Sequence, residues 1–394
     1  MPPSPLNAAP AAFVPFAPPA IGPDEIREVT ETLESGWLST GPRVRRFEQA
    51  FATYVGSPHA VALNSCTAAL HLSLVASGIG PGDEVITTPL TFCATANVIV
   101  HTGATPVFAD VDPATGNLDP AAVAAAVSGR TRALIVVHYA GRPAEVDVFA
   151  ALAARRRLVT IEDAAHCVEG RRGGQKIGTT AAFTAFSFYA NKNLTTGEGG
   201  MLTTASPEAA DLVRTASLHG MSRDGWTRYE QGGSSRYDVV MAGFKYNMSD
   251  LQAAIGLHQL AMIERRLVRR EQICAQYDEA FADLPLLAWA GLPAGDRHAR
   301  HLYPVLIDRD LAGRSRDEVA AALAEAGIAT SVHFGALHLH RFYRERYGFR
   351  AGQFPHAEFL ADRVLSLPLS ASLTDVQIAR VIAAVRQTLG GTRA

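Results

Sequence analysis

The sequence predicts an α/β protein, with a mostly parallel central sheet covered by helices on both faces and a smaller C-terminal α+β domain. Three observations carry this expectation. Between residues 59 and 206 short apolar runs alternate with helical ones, which is the pattern of βαβ units. The chain has 394 residues, enough to bury more than one hydrophobic core. From about residue 290 the alternation gives way to strand-like "HARHLYPVLID" among helices such as "RDEVAAALAEAG".

Each element follows in order. A proline-broken arm, "MPPSPLNAAPAAFVPFAPPA" (1–20), is expected to dock only near Ile21 to Pro23. "DEIREVTETLESG" is an amphipathic helix closed by Gly36, and "GPRVRRFEQAFATYVG" is a second helix. Strands are expected at 59–65, 83–92, 105–112, 132–141 and 158–166, with helices at 67–79, 95–104, 119–127 and 146–156 between them. "FTAFSFYANKNLTTGEGGML" (183–202) opens as an apolar strand and ends in a glycine-rich turn that leads into the strand "GGMLTTAS". Residues 219–247, rich in Gly, Ser, Arg and Tyr, read as a long functional loop. "SDLQAAIGLHQLAMIERRLVRREQICAQYDEAFADL" reads as one long helical stretch. The expected organisation is an arm at 1–20, a large domain at 21–265, and at 266–394 a helix leading into the small domain.

Composition narrows the function classes. Hydrophobic content of 48% and charged content of 19% are those of a soluble globular protein. A net charge of -2 gives no global attraction to nucleic acid or to an anionic membrane, so an anion must be held by a local site. Cys66, Cys93, Cys167 and Cys274 form no CxxC pair and lack zinc-ligand spacing, which reads as reduced thiols in a cytoplasmic enzyme. The N-terminus lacks the basic and unbroken apolar regions of a signal peptide, and no apolar run is long enough to span a membrane.

Chemistry concentrates at strand ends. Asp163 closes the apolar strand in "TIEDAAH", where a carboxylate can pair with a protonated ring nitrogen, although capping is the commoner use. Lys192 follows the next strand, and a lysine there becomes a nucleophile toward an aldehyde if burial lowers its pKa. In "NSCTAALHL" a strand ends and a helix begins near Thr67, so free N–H groups and the helix dipole favour a phosphate; plain N-capping by Ser65 or Thr67 is the alternative. Ser187 can add a hydroxyl to the same anion, and Phe92, just after a strand, can stack on a flat ring or pack in a core. A strand-end aspartate, a strand, and then a lysine before a glycine-rich turn is the set a pyridoxal phosphate (PLP) site needs. Neither GxGxxG after the first strand nor GxxxxGK[ST] occurs, which argues against a dinucleotide enzyme and a P-loop NTPase. His333, His338 and His340 in "VHFGALHLHRFY" lack a carboxylate or cysteine partner in the motif, so a channel lining is favoured over a metal site, and no metal is expected.

From about residue 21 onward the chain resembles the DegT/DnrJ/StrS-type PLP-dependent sugar-nucleotide aminotransferases. The resemblance rests on "ESGWLSTGP", "GDEVITTPLTFCATAN", "GATPVFADVD", "IEDAAH", "SFYANKNLTTGEGG" and "YNMSDLQAAIGLHQL" in that order. Phe244 to Asn247, with His166, look most like the group that aminates the UDP-4-keto-pentose in 4-amino-4-deoxy-L-arabinose synthesis. The resemblance implies PLP-dependent transferase fold type I and a homodimer with shared active sites. It implies that Lys192 anchors PLP and shuttles protons, and that Asp163 pairs with the pyridine nitrogen. Phe92 would stack on the ring and His166 would lie near its phenolic oxygen. Cys66, Thr67 and Ser187 would bind the phosphate, and Asn247 would reach the neighbouring subunit's cofactor. Cys66 stands where many members have Gly, and Lys245 and Asn247 stand where many have Asn and Arg. The implied reaction moves an amino group from L-glutamate to a nucleotide-linked keto sugar, leaving 2-oxoglutarate. The alternatives are a PLP-dependent sugar dehydratase, whose relatives carry His in place of the lysine, and a PLP-binding regulator without turnover.

Overall fold

A computed structural model describes residues 13–221 and 237–390. Part of the expected 219–247 loop and the start of the arm lie outside these residues. The large domain alternates as expected: α1 (Pro23–Glu34), α2 (Pro42–Val55), β1 (His59–Leu63), α3 (Cys66–Ala76), β2 (Glu84–Thr87), α4 (Cys93–His101), β3 (Thr105–Phe108), α5 (Pro120–Ala126), β4 (Thr131–Val137), α6 (Val146–Arg156) and β5 (Val159–Asp163). A short hairpin, β6 (Arg171–Arg172) and β7 (Gln175–Lys176), precedes β8 (Phe183–Ser187) and β9 (Gly200–Thr204). Next come α7 (Pro207–Ser217), α8 (Asp250–Ala261) and α9 (Ile263–Ala280).

Seven strands form one sheet in the order β1-β9-β8-β5-β4-β2-β3. The pairs among β3, β2, β4, β5 and β8 are parallel, whereas β9 runs antiparallel to both neighbours. The sheet is thus mixed, with β9 reversed because only the tight turn at 188–199 separates it from β8. Most of its strand residues are buried, as continuous apolar runs covered by helices on both faces require. Leu70, Leu72, Val98 and Val213 from α3, α4 and α7 pack on one face, while Val123, Phe149 and Leu152 from α5 and α6 join a separate core with Ile86 and Leu134.

Three expectations about elements change. Several strands stop short, and the sequence between each strand and its following helix is loop; β2 ends at Thr87 and β5 at Asp163. The stretch expected as one helix bends at Met262 into α8 and α9. Leu260 and Ile263 belong to the large core, whereas Ile273, Cys274 and Tyr277 belong to another. The arm docks earlier than expected. Val14 is fully buried and bridges Ile328, and Pro18 and Ala20 carbonyls accept bonds from Ser370 and from Gln259 and Arg266. Its apolar residues find a ready edge, and its prolines keep it extended.

The small domain holds β10 (Leu286–Leu287), β11 (Tyr303–Ile307), α10 (Arg309–Ala312), α11 (Arg316–Glu325), α12 (Arg341–Tyr347), α13 (Pro355–Arg363), β12 (Val364–Leu367) and α14 (Asp375–Leu389). Its three strands are antiparallel in the order β10-β11-β12. Its own core joins α9, α11 and α14 to this sheet and to Val14. No helix among the described residues is long and apolar enough to cross a membrane.

Candidate active site

β1, β4, β5 and β8 point the same way, so their carboxyl ends share one sheet edge. Asp163 ends β5, Ser187 ends β8, and Ser65 follows β1 as the N-cap of α3. The Ser65 hydroxyl accepts from the Ala68 N–H at 3.1 Å, which leaves the first N–H groups of α3, those of Cys66 and Thr67, outside the helix ladder. Gly200 makes this arrangement possible. A Cβ there would come within 2.5 Å of the Ser65–Cys66 backbone, so only glycine lets β9 start this close to the helix end.

Above the edge lies a cavity of about 480 Å³, within the usual range for a small-molecule site. Cys66, Thr67, Phe92, Asp163, His166, Ser187 and Lys192 all line it. Asn247 does not. It sits beside β1, bridging Leu63, with its amide donating to Thr40 Oγ1 at 2.7 Å and accepting from Lys245 Nζ at 2.6 Å.

Lys192 is placed by the turn after β8. Its N–H donates to Tyr189 O at 2.9 Å, and the Phe188 N–H donates to Gly199 O at 2.9 Å. Burial lowers the lysine pKa to about 8, against the pull of Cys66 and Asp163. A minor but appreciable fraction of this amine is therefore neutral near physiological pH, as a nucleophile requires. Its Nζ lies 3.3 Å from His301 Nε2.

Asp163 is buried, and its carboxylate accepts from Thr95 Oγ1 at 2.8 Å and the Ala165 N–H at 3.2 Å. Burial pushes its pKa up; the two hydrogen bonds, Lys192 and His138 oppose this. A cation in the cavity would restore the charged form. Burial likewise raises the Cys66 thiol well above its ordinary range, so Cys66 contributes its backbone rather than a thiolate. Phe92, the N-cap of α4, is 60% exposed and leaves a ring face open to the cavity.

His166 lies in the turn beyond β5 rather than on a strand. Its Nδ1 is buried without a hydrogen-bond partner among the described residues. Burial, Lys192 and His333 push its pKa well down, so the ring is neutral. Phe334 stacks on it, with centroids 5.8 Å apart at 15°. Of the three histidines in "VHFGALHLHRFY", only His333 lines the cavity. His338 instead bonds Glu358 at 2.9 Å.

Sequence reasoning missed His301, Phe334 and Thr95. The first two come from the C-terminal part of the chain and meet the lysine only through tertiary folding. Nothing in "HARHLYPVLID" distinguishes His301 from a surface residue. Thr95 carried a faint signal, as a polar side chain in the first turn of the helix that follows Phe92.

The donor set fits PLP. An open aromatic face, a strand-end carboxylate, a partly neutral lysine, leftover helix N–H groups and an unsatisfied buried ring nitrogen each match a different part of that cofactor.

Comparison with known proteins agrees. The sequence profile of the DegT/DnrJ/EryC1/StrS aminotransferase family matches residues 19–386. The chain is 52% identical over 380 residues to the spore coat polysaccharide biosynthesis protein SpsC of Bacillus subtilis, covering 96% of this chain and 98% of that protein. The structure resembles the PLP form of the putative sugar aminotransferase Spr1654 from Streptococcus pneumoniae, with a TM-score of 0.89, 34% identity, and 97% and 100% of the two chains covered. It also resembles Helicobacter pylori PseC, an aminotransferase of pseudaminic acid biosynthesis, with a TM-score of 0.88, 28% identity, and 96% and 99% covered. The chain belongs to the DegT/DnrJ/EryC1/StrS aminotransferase family, as a PLP-dependent aminotransferase of fold type I.

Proposed function

We propose that this enzyme moves an amino group from L-glutamate to a nucleotide-linked keto sugar, giving an amino sugar nucleotide and 2-oxoglutarate. The sugar is a UDP-4-keto sugar on this reading, which the motif around Phe244 to Asn247 supports. The similarity to SpsC, Spr1654 and PseC, which are respectively a polysaccharide biosynthesis protein, a putative sugar aminotransferase and an aminotransferase of pseudaminic acid biosynthesis, supports the sugar class. The observation that carries the proposal is that Lys192 and Asp163 face one cavity, with the lysine pKa lowered to about 8.

PLP, when bound, supplies an aldehyde to take up the amino group and a ring that accepts electron density from the substrate carbon. Lys192 would be its covalent anchor, and its amine, partly neutral at this site, would serve as the general base. Asp163 would hold a proton on the pyridine nitrogen. Phe92 covers one ring face, and His166 donates or accepts at the phenolic oxygen. The N–H groups of Cys66 and Thr67 and the Ser187 hydroxyl bind the phosphate at the positive end of α3. Asn247, outside the cavity of its own chain, serves the partner's site in a homodimer with shared active sites.

The test is spectroscopic. Purified protein with PLP should show the absorbance band of lysine-bound cofactor, and L-glutamate should replace it with the pyridoxamine band. A band indifferent to glutamate would redirect the search to another amino donor or to a regulator without turnover. The Lys192→Ala variant should fail to give a borohydride-trappable link to PLP, and wild-type turnover by that variant would refute the assignment.

A further inference from the structure

We propose that His301 positions Lys192: a tautomer fixed from behind presents a bare Nε2 that accepts a hydrogen from the lysine amine and holds it in the cavity. This rests on the reading of Lys192 as the residue that anchors PLP.

The argument starts at the far end of a buried chain of contacts. Glu169 is fully buried and ion-paired with Arg270. Asn193 Nδ2 lies 3.0 Å from Glu169 Oε2 and 2.8 Å from Ala299 O. Both are acceptors, so the amide nitrogen must face them and its oxygen must face the other way. That oxygen lies 3.2 Å from His301 Nδ1. An oxygen acceptor there requires the hydrogen to sit on Nδ1.

Burial first, and then the neighbouring Lys192, His166, His333 and Arg270 side chains, push the pKa of this ring well down and exclude the imidazolium. A neutral ring with its hydrogen on Nδ1 has a lone pair on Nε2, 3.3 Å from Lys192 Nζ. His166 packs against the same ring, with centroids 4.5 Å apart, and limits its rotation.

A neutral acceptor suits the task. A second carboxylate at this position would add to the pull of Asp163 and favour the ammonium form. A neutral nitrogen instead directs the amine while leaving its proton affinity low. It also competes with Asp163 for the lysine, which keeps that carboxylate available to its ring partner.

Two measurements on the full-length apoprotein test this. Histidine-ring 15N NMR, with His301→Gln to assign the resonance, should show His301 neutral with its hydrogen on Nδ1 between about pH 7 and 9. The rate at which added PLP becomes borohydride-trapped on Lys192 should fall about tenfold or more in His301→Ala. His301→Gln, which keeps an acceptor near the position of Nε2, should recover most of that rate. Asn193→Leu, which releases the tautomer, should fall in the same direction as His301→Ala. A hydrogen on Nε2, or equal trapping rates in parent and His301→Ala, overturns the proposal. A parent chain that traps PLP elsewhere than Lys192 overturns the lysine reading and this proposal with it.

Discussion

At the scale of single residues, burial decides the chemistry. Lys192 and Asp163 are both driven toward their neutral forms by loss of water, and each then depends on a specific partner. For Asp163 the proposed partner is the pyridinium, so Asp163→Asn should reduce transamination by about a hundredfold or more while leaving PLP trapping measurable. Steady-state assays and borohydride trapping on the same preparation separate the two effects. Lys192 makes a pH prediction for the apoprotein. Its folded pKa of about 8 lies below its ordinary value of 10.5, so between these values the unfolded chain binds more protons than the folded one. Stability contributed by this group therefore rises with pH across that window, and the penalty is fully present below it. Urea midpoints of Lys192→Met and the parent should differ most near neutral pH and converge toward pH 10.5. A constant difference would mean that the lysine is not desolvated. Residue by residue, the candidate site was legible where a strand end or the turn just after it carries a chemical group, as with Asp163, Ser187 and Lys192, all of which line one cavity. His301 and Phe334 were not, because their role exists only after the C-terminal part of the chain folds against the sheet.

At the scale of elements, the alternation of apolar runs and helical periods located every strand of the large sheet. It located strand ends poorly, because residues such as Thr88 to Thr91 are as buried as the strand they follow without pairing in it. The reversal of β9 and the break at Met262 were also hidden. The first follows from the short glycine-rich turn that joins β9 to β8, whose presence did not give the strand's direction, and the second arises from what α8 and α9 pack against, with no proline or cluster of breakers to mark it. Helix α7 has a clear start, with Ser206 capping Ala209 and Pro207 at its first position, but it falls outside the pattern that marked the βαβ units. The close approach of β9 to α3 gives the prediction that belongs here. Gly200→Ala places a methyl against the Ser65–Cys66 backbone, which has no side-chain freedom with which to yield. The variant should lose about 1–3 kcal/mol of stability by denaturant unfolding. It should also lose PLP affinity, because the displaced element is the helix end proposed to bind the phosphate. A variant of native stability and affinity would show that the edge can rearrange at no cost.

At the scale of the molecule, the site draws on three separate parts of the chain. The sheet supplies Asp163, Lys192 and the α3 terminus; the C-terminal part supplies His301, His333 and Phe334; and the arm reaches in through Phe16, whose ring stacks on His333 at 5.5 Å. Asn247 is the exception, since it lies beside the sheet yet contributes nothing to the cavity of its own chain. The proposed homodimer resolves this by exchanging Asn247 between subunits, and subunit mixing tests the exchange. Lys192→Ala and Asn247→Ala homodimers should each be impaired, the first completely. Unfolded together and refolded in equal amounts, they form mixed dimers in about half of the population. In each mixed dimer one site combines an intact Lys192 with an intact Asn247 from the other chain, while the second site lacks both. Activity of the mixture should therefore approach about a quarter of wild type. If Asn247 acted within its own chain, no site in a mixed dimer would regain both residues, and the mixture would show only the average of its two parents.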